Sequence, residues 1–548
     1  MSDVPSGARG PRLRLVCVND VYTLENLPRL RTLVLRARTE DPADVLLTTL
    51  AGDFVSPSML SSLDRGAGMV DCMNHVPITH VTFGNHEDDI PPDELRARVR
   101  EFSGTWLSTN VVGLLGDDPR APDGRALLPA CQIVKVTAPG GRRVRVGLLG
   151  VVMTDPSLFR GPPFGGVALL PANAAALGTA AHLVDNEGCA CVVPLTHQEM
   201  ARDRELAAEP QRVPFPVVVG GHEHVVEIEK VAATWIVKAG SDATHAVVVD
   251  LAWPAAAPID GAPDVPEVTV RLEDVSRYPE DGPMRGLVDA HMAAVRALEA
   301  ATLLVVPPGA ALSSVGSRAQ ETSLGALVCS RLRDATGAEA CVFNGGGIRG
   351  ARTYTGRFTY GDLKAEIPFD NEVVVVPLPG AVLADAVATS RARAPLEYGG
   401  FLQVDDGMRV EEPEDRLTRV AGAPLDPARD YKVALVRNLF EGMDHIEPLV
   451  RFAREHPERV PKPTTGRDAK LLLLDALCRA LFRELGDLDA IDANHDGFLD
   501  ASEMAAAIAR VTAEPASAIT VDLMMRALGA ERGQALSRAA AVAARGAR

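Results

Sequence analysis

"LVCVNDVYTLEN", residues 15–26, is an apolar, β-branched run that stops abruptly at Asn19 and Asp20, with Tyr22 two places further on. Four other runs end in the same way. "DVLLTTLAGDF" (44–54) closes on Asp53, "ITHVTFGNHEDD" (78–89) on Asn85 and His86, "CACVVPLTHQE" (189–199) on His197, and "VVVGGHEH" (217–224) on His222 and His224. Each has the length and residue types of a buried strand, and helix-compatible segments separate them, so residues 12 to about 250 read as an α/β domain. Loops at the carboxyl ends of strands in an open α/β sheet face one crevice, which lets these polar residues converge from distant parts of the chain. Two Asp, one Asn and three His offer the mixed oxygen and imidazole ligation that suits zinc, manganese, iron or cobalt, and a shared carboxylate such as Asp53 can hold two ions. Gly52, Gly84 and Gly221 stand where the backbone must pass close to ligands.

The chain has 548 residues, more than one hydrophobic core sustains, and its 47% hydrophobic and 24% charged content fits a folded protein of several domains. A net charge of −17 without a long Lys/Arg cluster excludes polymeric nucleic acid as a partner but leaves room for a small phosphorylated substrate at a local cation site. No run of 18 apolar residues occurs, and the N-terminus reaches its first strand without the apolar core of a signal peptide. The expectation is therefore a cytoplasmic protein with no membrane partner. Oligomeric state is not legible. The eight cysteines are scattered, and the one close pair, Cys189 and Cys191, lies inside an apolar run, which predicts buried thiols.

A Pro/Ala/Asp-rich passage (253–267) marks a connector, and residues 282–301 have helical composition. A second α/β region follows, with strands at "ACVFNGG" and "EVVVVPL" and a helix at "ETSLGALVCSRLRDATG". The expected domains are a dimetal catalytic domain at 11–280, a helical linker at 281–301, a substrate-binding domain at 302–462 and a small all-α unit at 466–548.

The blocks "ND", "GD", "GNHE", "TH" and "GHEH", in that order, resemble the calcineurin-like metallophosphoesterase superfamily. That resemblance implies an α/β fold of the α+β sandwich type, layered α/β/β/α. It also implies that Asp20, Asp53 and His224 hold one ion, with Asp53, Asn85, His197 and His222 holding the second. His86 would stabilise the transition state or protonate the leaving oxygen, oriented by Asp89. Tyr22 stands where the superfamily usually has a histidine ligand. "NDVY" resembles one branch of it, and Tyr22 is carried as a candidate ligand.

"RAQETSLGAL" (318–327), "FNGGGIRG" (343–350), "IPFDNEVVVVPLPG" (367–380) and "GFLQV" (400–404) narrow the resemblance to 5'-nucleotidases and their C-terminal domain. The match implies that Arg318 and Arg349 reach toward phosphate and ribose, Asn344 touches the base, Phe369 stacks on it with Asn371 beside it, and Asp444 takes the ribose hydroxyls. One departure stands out: the family's second aromatic clamp falls on Asn438, so either Phe440 substitutes or the clamp is half open. The implied activity is release of phosphate from nucleotides by attack of metal-bound hydroxide. A 2',3'-cyclic-nucleotide phosphodiesterase, a nucleotide-sugar or other phosphoester hydrolase, and a calcium-binding scaffold with a decayed phosphatase site remain open.

"DANHDGFLDASE" (492–503) sets Asp492, Asn494, Asp496, Asp500 and Glu503 at positions 1, 3, 5, 9 and 12 of an EF-hand loop. Gly497 lies at the turn and the Phe498 carbonyl at position 7, which predicts a Ca2+ site. Residues 523–540 read as a degenerate second hand without ligand acids.

Overall fold

The computed structural model describes residues 9–546 apart from 117–119, 122, 123, 125, 160, 161, 259–263, 370, 412–414, 463, 464 and 531–533. The connector read at 253–267 and the second hand read at 523–540 therefore lie partly outside the described residues. The chain divides into two compact units, Met1–Ala293 and Ala294–Arg548.

The first unit carries, in chain order, strands Arg12–Val18 (β1), Val45–Ala51 (β2), His80–Thr82 (β3), Thr105–Leu107 (β4), Cys131–Thr137 (β5), Arg143–Val152 (β6), Cys191–His197 (β7), Val217–Gly221 (β8), Val226–Val231 (β9), Thr234–Ala239 (β10), His245–Ala252 (β11) and Glu267–Asp274 (β12). They form two sheets, ordered β12-β11-β1-β2-β3-β4 and β9-β10-β8-β7-β6-β5. Strands β1 to β4 pair in parallel, as do β6, β7, β8 and β10, while β5, β9, β11 and β12 pair antiparallel at the margins.

Alternation within the strands explains the layering. Leu13, Leu15 and Cys17 of β1 meet Val193 and Leu195 of β7 and Val217 and Val219 of β8 in one buried cluster, so the two sheets pack face to face. The intervening residues Val192, Val218 and Ile236 point the other way, into a cluster with Ala176, Ala180 and Leu183 of helix Ala172–Asp185 and Leu206 of helix Met200–Ala208. Helix Leu27–Thr39 packs on β2 and buries Leu30, Leu33 and Val34. The layers are α/β/β/α. Because β1, β2, β3, β7 and β8 are parallel within their sheets, their carboxyl ends project toward one edge of the sandwich.

The second unit has a five-stranded mixed sheet. In chain order its strands are Ala340–Asn344 (β13), Glu372–Pro379 (β14), Leu402–Val404 (β15), Asp430–Val436 (β16) and Arg467–Asp468 (β17), in sheet order β15-β13-β16-β14-β17. Helix Ser323–Thr336, capped by the Thr322 hydroxyl and ended by Gly337 in the left-handed region, packs on β13. Helix Ala469–Glu484 lies against it and opens the C-terminal helical segment. That segment has its own core, in which Leu481, Phe482, Ile491, Leu499, Met504, Ile508, Met524 and Leu536 are buried together. Among the described residues, no helix is long and apolar enough to cross a membrane. Seven of the eight cysteines are buried, Cys131 being half-buried, and all are free thiols.

Candidate functional site

The five strand ends of the first unit do meet. Oxygen and nitrogen ligand atoms of Asp20, Asp53 and His197 all lie within 4.8 Å of one another, and none of the three side chains is exposed. Tyr22 enters the same cluster: its hydroxyl is 3.2 Å from Asp20 Oδ1, 3.2 Å from Asp53 Oδ2 and 3.0 Å from His224 Nε2. The rings of His197 and His222 sit edge to face at 5.5 Å, and those of Tyr22 and His86 at 6.1 Å. The His86 amide donates to Asp53 Oδ1 at 2.8 Å, and its Nδ1 lies 2.9 Å from Asp89 Oδ2. Asp20, Asp53 and His222 all have positive φ, of 53°, 55° and 89°. Non-glycine residues adopt that region at a cost that surrounding structure must impose, and such residues gather at functional sites.

The donor set fits metal ions on evidence internal to the cluster. His197 Nδ1 is 2.7 Å from the Ala51 carbonyl, which fixes its proton there and turns Nε2, an acceptor, toward Asp53 Oδ2 at 3.1 Å. Two acceptors facing each other in a buried place repel unless a cation lies between them. His197 Nε2 and Asn85 Oδ1 are buried and make no hydrogen bond. Without a metal the cation must be a proton: burial lowers the His197 imidazole, but Asp53 and Asp20 outweigh it and raise it to about 10. Burial works against ionised Asp53 as well, yet His197 and His86 hold it well below the usual carboxylate range. His222 goes the other way, lowered chiefly by burial and then by the charge of His197, so it stays a neutral imidazole with a lone pair to give.

Two positioning residues, Glu87 and Lys238, were not singled out from the sequence, and Asn19, read there as part of the "ND" block, was given no role of its own. Glu87, fully buried, accepts from the backbone amides of Asp53, Phe54, Val55 and Gly84 at 2.6–3.1 Å and so ties the "GD" loop to the "GNH" loop. Burial and Asp53 together push its carboxyl up to about 7, against those amides. Lys238, also fully buried, donates to the carbonyls of Gln198 and Gly221 at 2.8 Å each and pairs with Asp203 and Glu223, which holds the His197 and His222 loops. Asn19 donates to Asp20 Oδ2 at 2.7 Å and accepts from the Ala239 amide at 2.6 Å. Position alone offered a signal for Glu87 and Asn19, each adjacent in sequence to a candidate ligand or catalytic residue; Lys238, on an adjoining strand, gave none. The glycines read as close-approach positions are such: a Cβ on Gly84 would lie 2.0 Å from Asp53 Oδ1, and one on Gly221 would lie 2.2 Å from the Ala51 carbonyl.

In the second unit the predicted substrate residues surround the turn Gly345–Gly347 at the end of β13. Asn344 Nδ2 donates to Asp444 Oδ2 at 2.7 Å, leaving Asn344 Oδ1 buried and unpartnered. Arg349 lies over the exposed ring of Phe369, 5.6 Å from its centroid. Asn371 Nδ2 is buried without a partner beside Gly347. Arg318 sits on a loop that Gln403 pins by donating to the carbonyls of Ser317 and Gln320 at 2.8 and 2.7 Å, a role for the glutamine of "GFLQV" that sequence reading missed. The buried Glu366, likewise missed, accepts from the Gly350 amide, Ser314 and Tyr354 and holds the Arg349 turn. Phe440 does not substitute as the second aromatic clamp. It is 4% exposed and packs on Phe452 in the core, because the Arg437–Glu441 turn directs it inward and leaves Asn438 outside.

In the C-terminal segment the loop 492–503 joins two helices. Glu503 Oε1 accepts from the amides of Ala493 and Asn494 at 2.9 and 3.2 Å, and Asp492 accepts from Asp496 and Gly497 at 3.2 and 3.1 Å. Gly497 has φ +84°. Strand Phe498–Leu499 (β18) pairs antiparallel with Leu536–Ser537 (β19), matching Leu499 to Leu536. That register sets Gly529 and Ala540 at the places of Asp492 and Glu503, so the second loop has neither the first nor the last carboxylate.

Residues 300–451 match the model of the 5'-nucleotidase, C-terminal domain. The chain is 22% identical over 428 residues to the trifunctional nucleotide phosphoesterase protein YfkN of Bacillus subtilis, across 72% of this chain. It is 25% identical over 485 residues to the 5'-nucleotidase of Rattus norvegicus, covering 79% of this chain and 80% of that one. The chain spans 28% of the length of YfkN and, in a further match at 30% identity over 21% of this chain, 20% of Escherichia coli UshA. Among solved structures, Haemophilus influenzae NAD nucleotidase aligns with a TM-score of 0.60 at 15% identity over 85% of this chain and 95% of that one. A 5'-nucleotidase precursor from Thermus thermophilus aligns at 0.51 and 22% identity over 85% and 96%. The fold is therefore that of two-domain 5'-nucleotidases.

Glu87→Ala leaves four buried amide donors without an acceptor, each costing about 1–3 kcal/mol. A thermal melt lowered by several degrees, together with loss of bound metal by elemental analysis, is the expected result. An unchanged melt and metal content would show that the loops hold their positions without Glu87.

Proposed function

We propose that this chain is a dimetal-dependent phosphomonoesterase acting on nucleotides, a 5'-nucleotidase-like enzyme. The observation that carries the reading is the buried convergence of Asp20, Asp53 and His197 with two unpartnered ligand atoms, His197 Nε2 and Asn85 Oδ1. Asp20, Asp53, His224 and Tyr22 would hold one ion, and Asp53, Asn85, His197 and His222 the other, with zinc, manganese, iron or cobalt as the chemistry of the donors allows. When bound, such a pair supplies Lewis acidity, neutralising phosphoryl oxygens and lowering the pKa of water.

The chain's own groups do the rest. Asp89 accepts a hydrogen bond from His86 Nδ1–H, and the imidazolium form of His86, which that carboxylate favours, would offer its Nε2–H proton to the departing ester oxygen. In the second unit Arg318 and Arg349 offer guanidinium forks to an anion, Asp444 accepts from ribose hydroxyls, and Phe369 offers an exposed face to a base. The loop 492–503 takes one Ca2+ through Asp492, Asn494, Asp496, Phe498, Asp500 and Glu503.

Phosphate release from AMP with added manganese, zinc or cobalt tests the reading. Asp53→Asn is expected to lower the rate by roughly two orders of magnitude or more; equal rates in the variant and the wild type would remove Asp53 from the site. Tyr22→Phe is expected to change the amount or identity of one ion and spare the other, so unchanged metal content and activity would reduce Tyr22 to packing. For calcium, titration calorimetry should give one site per chain, weakened at least tenfold in Glu503→Gln. A wild-type chain that takes up no calcium at millimolar concentration would end that assignment.

A further inference from the structure

Independently of the nucleotide reading, we infer that the second unit holds a separate anion site where helix Ser323–Thr336 meets helix Ala469–Glu484, fitted to a tetrahedral dianion such as inorganic phosphate. A cleft of about 50 Å3 opens there, and four of the nine described residues that line it are arginines: Arg331, Arg467, Arg479 and Arg483. Two are acids, Asp334 and Asp475, so the lining is positive in a chain whose net charge is −17. A concave patch of reversed sign draws anions to it. The sequence builds it by helical spacing. Asp475, Arg479 and Arg483 follow one another at intervals of four along one face of their helix, and Arg331 and Asp334 are three apart on the other. Ala335 and Ala476, one on each helix, are too small to fill the space between.

The acids do not absorb this charge. Asp334 Oδ1 accepts two hydrogen bonds from the neighbouring Arg333, at 3.0 and 2.8 Å, while Arg331 Nη1 stands 3.9 Å from Asp334 Oδ2. Arg331 Nε is buried and makes no hydrogen bond. Arg479 Nε donates to the Ala527 carbonyl at 2.9 Å, which holds that guanidinium at the cleft. Arg467 Nη1 reaches the Ala335 carbonyl at 3.5 Å and so answers the negative end of helix Ser323–Thr336, which would otherwise repel an anion. Guanidinium forks take tetrahedral oxyanions two oxygens at a time. At roughly 10–15 Å3 for each water, the cleft has room for a few waters, the size of one phosphate group and well short of a nucleoside. Arg331 comes from the helix packed on β13, Arg467 from β17, and Arg479 and Arg483 from the helix that opens the C-terminal segment. An anion held among them ties that segment to the sheet, and a ligand of the folded state stabilises it.

Titration calorimetry of the full chain with sodium phosphate and, separately, sodium sulfate, with chloride at equal ionic strength as the blank, tests this. The comparison is with the double variant Arg331→Gln/Arg483→Gln, which keeps Arg479 on Ala527 and Arg467 on Ala335. A dimetal site that takes phosphate contributes equally to both isotherms, so the difference belongs to the cleft. One site per chain is expected to weaken roughly tenfold or more in the variant, as loss of charge-assisted contacts requires. Phosphate should also raise the melting temperature of the wild type more than that of the variant. A cooperative melt in dianion-free buffer and wild-type hydrolysis of p-nitrophenyl phosphate show that the variant is folded. Equal weakening for phosphate and sulfate assigns the site to tetrahedral dianions in general, and weakening for phosphate alone assigns it to phosphate. Identical isotherms in variant and wild type overturn the inference, as does a wild-type chain that takes up neither dianion at millimolar concentration.

Discussion

Three carboxylates with no solvent exposure, those of Asp20, Asp53 and Glu87, lie at the ends of two neighbouring strands and the turn after a third. Burying one unpaired carboxylate is costly, and like charges close together cost more. The surroundings of the first unit's site can be read as the compensation. Glu87 is met by four backbone amides, Asp20 by Asn19 and the His222 amide, and Asp53 by the His86 amide. What these groups leave over, an imidazole nitrogen and an amide oxygen with no partner, is a demand for cations.

The second unit obeys a different constraint, close approach of backbone. Its glycine turn admits the Ser317 carbonyl and the Gly399 backbone at distances that a side chain would block. Gln403 and Glu366 then hold the flanking loops from below. Side chains placed on such pinned loops are pre-organised, which lowers the entropic cost of binding.

Five strand-terminal blocks made the first fold and most of the first candidate site legible, because each candidate ligand follows its own strand and parallel strands bring their carboxyl ends together. The glycines and the turn in the loop 492–503 were legible for a local reason: a sharp turn and alternating oxygens are properties of consecutive residues. Phe440 was different. Its place in sequence suggested a clamp, yet whether an aromatic points into a groove or into the core depends on the helix that follows, where Phe452 receives it.

The sequence by itself determined the two α/β regions, the strand-end polar residues, the glycines of "NGGG" and the loop "DANHDGFLDASE". These rest on periodicity and on spacing within a few residues, where covalent geometry couples cause to position. Only the tertiary structure decided that Lys238 anchors two histidine loops, that Gln403 pins the Arg318 loop and that Phe440 is buried. Those relations join residues dozens apart in sequence, and no local propensity encodes which of many possible partners the packed chain will bring into contact.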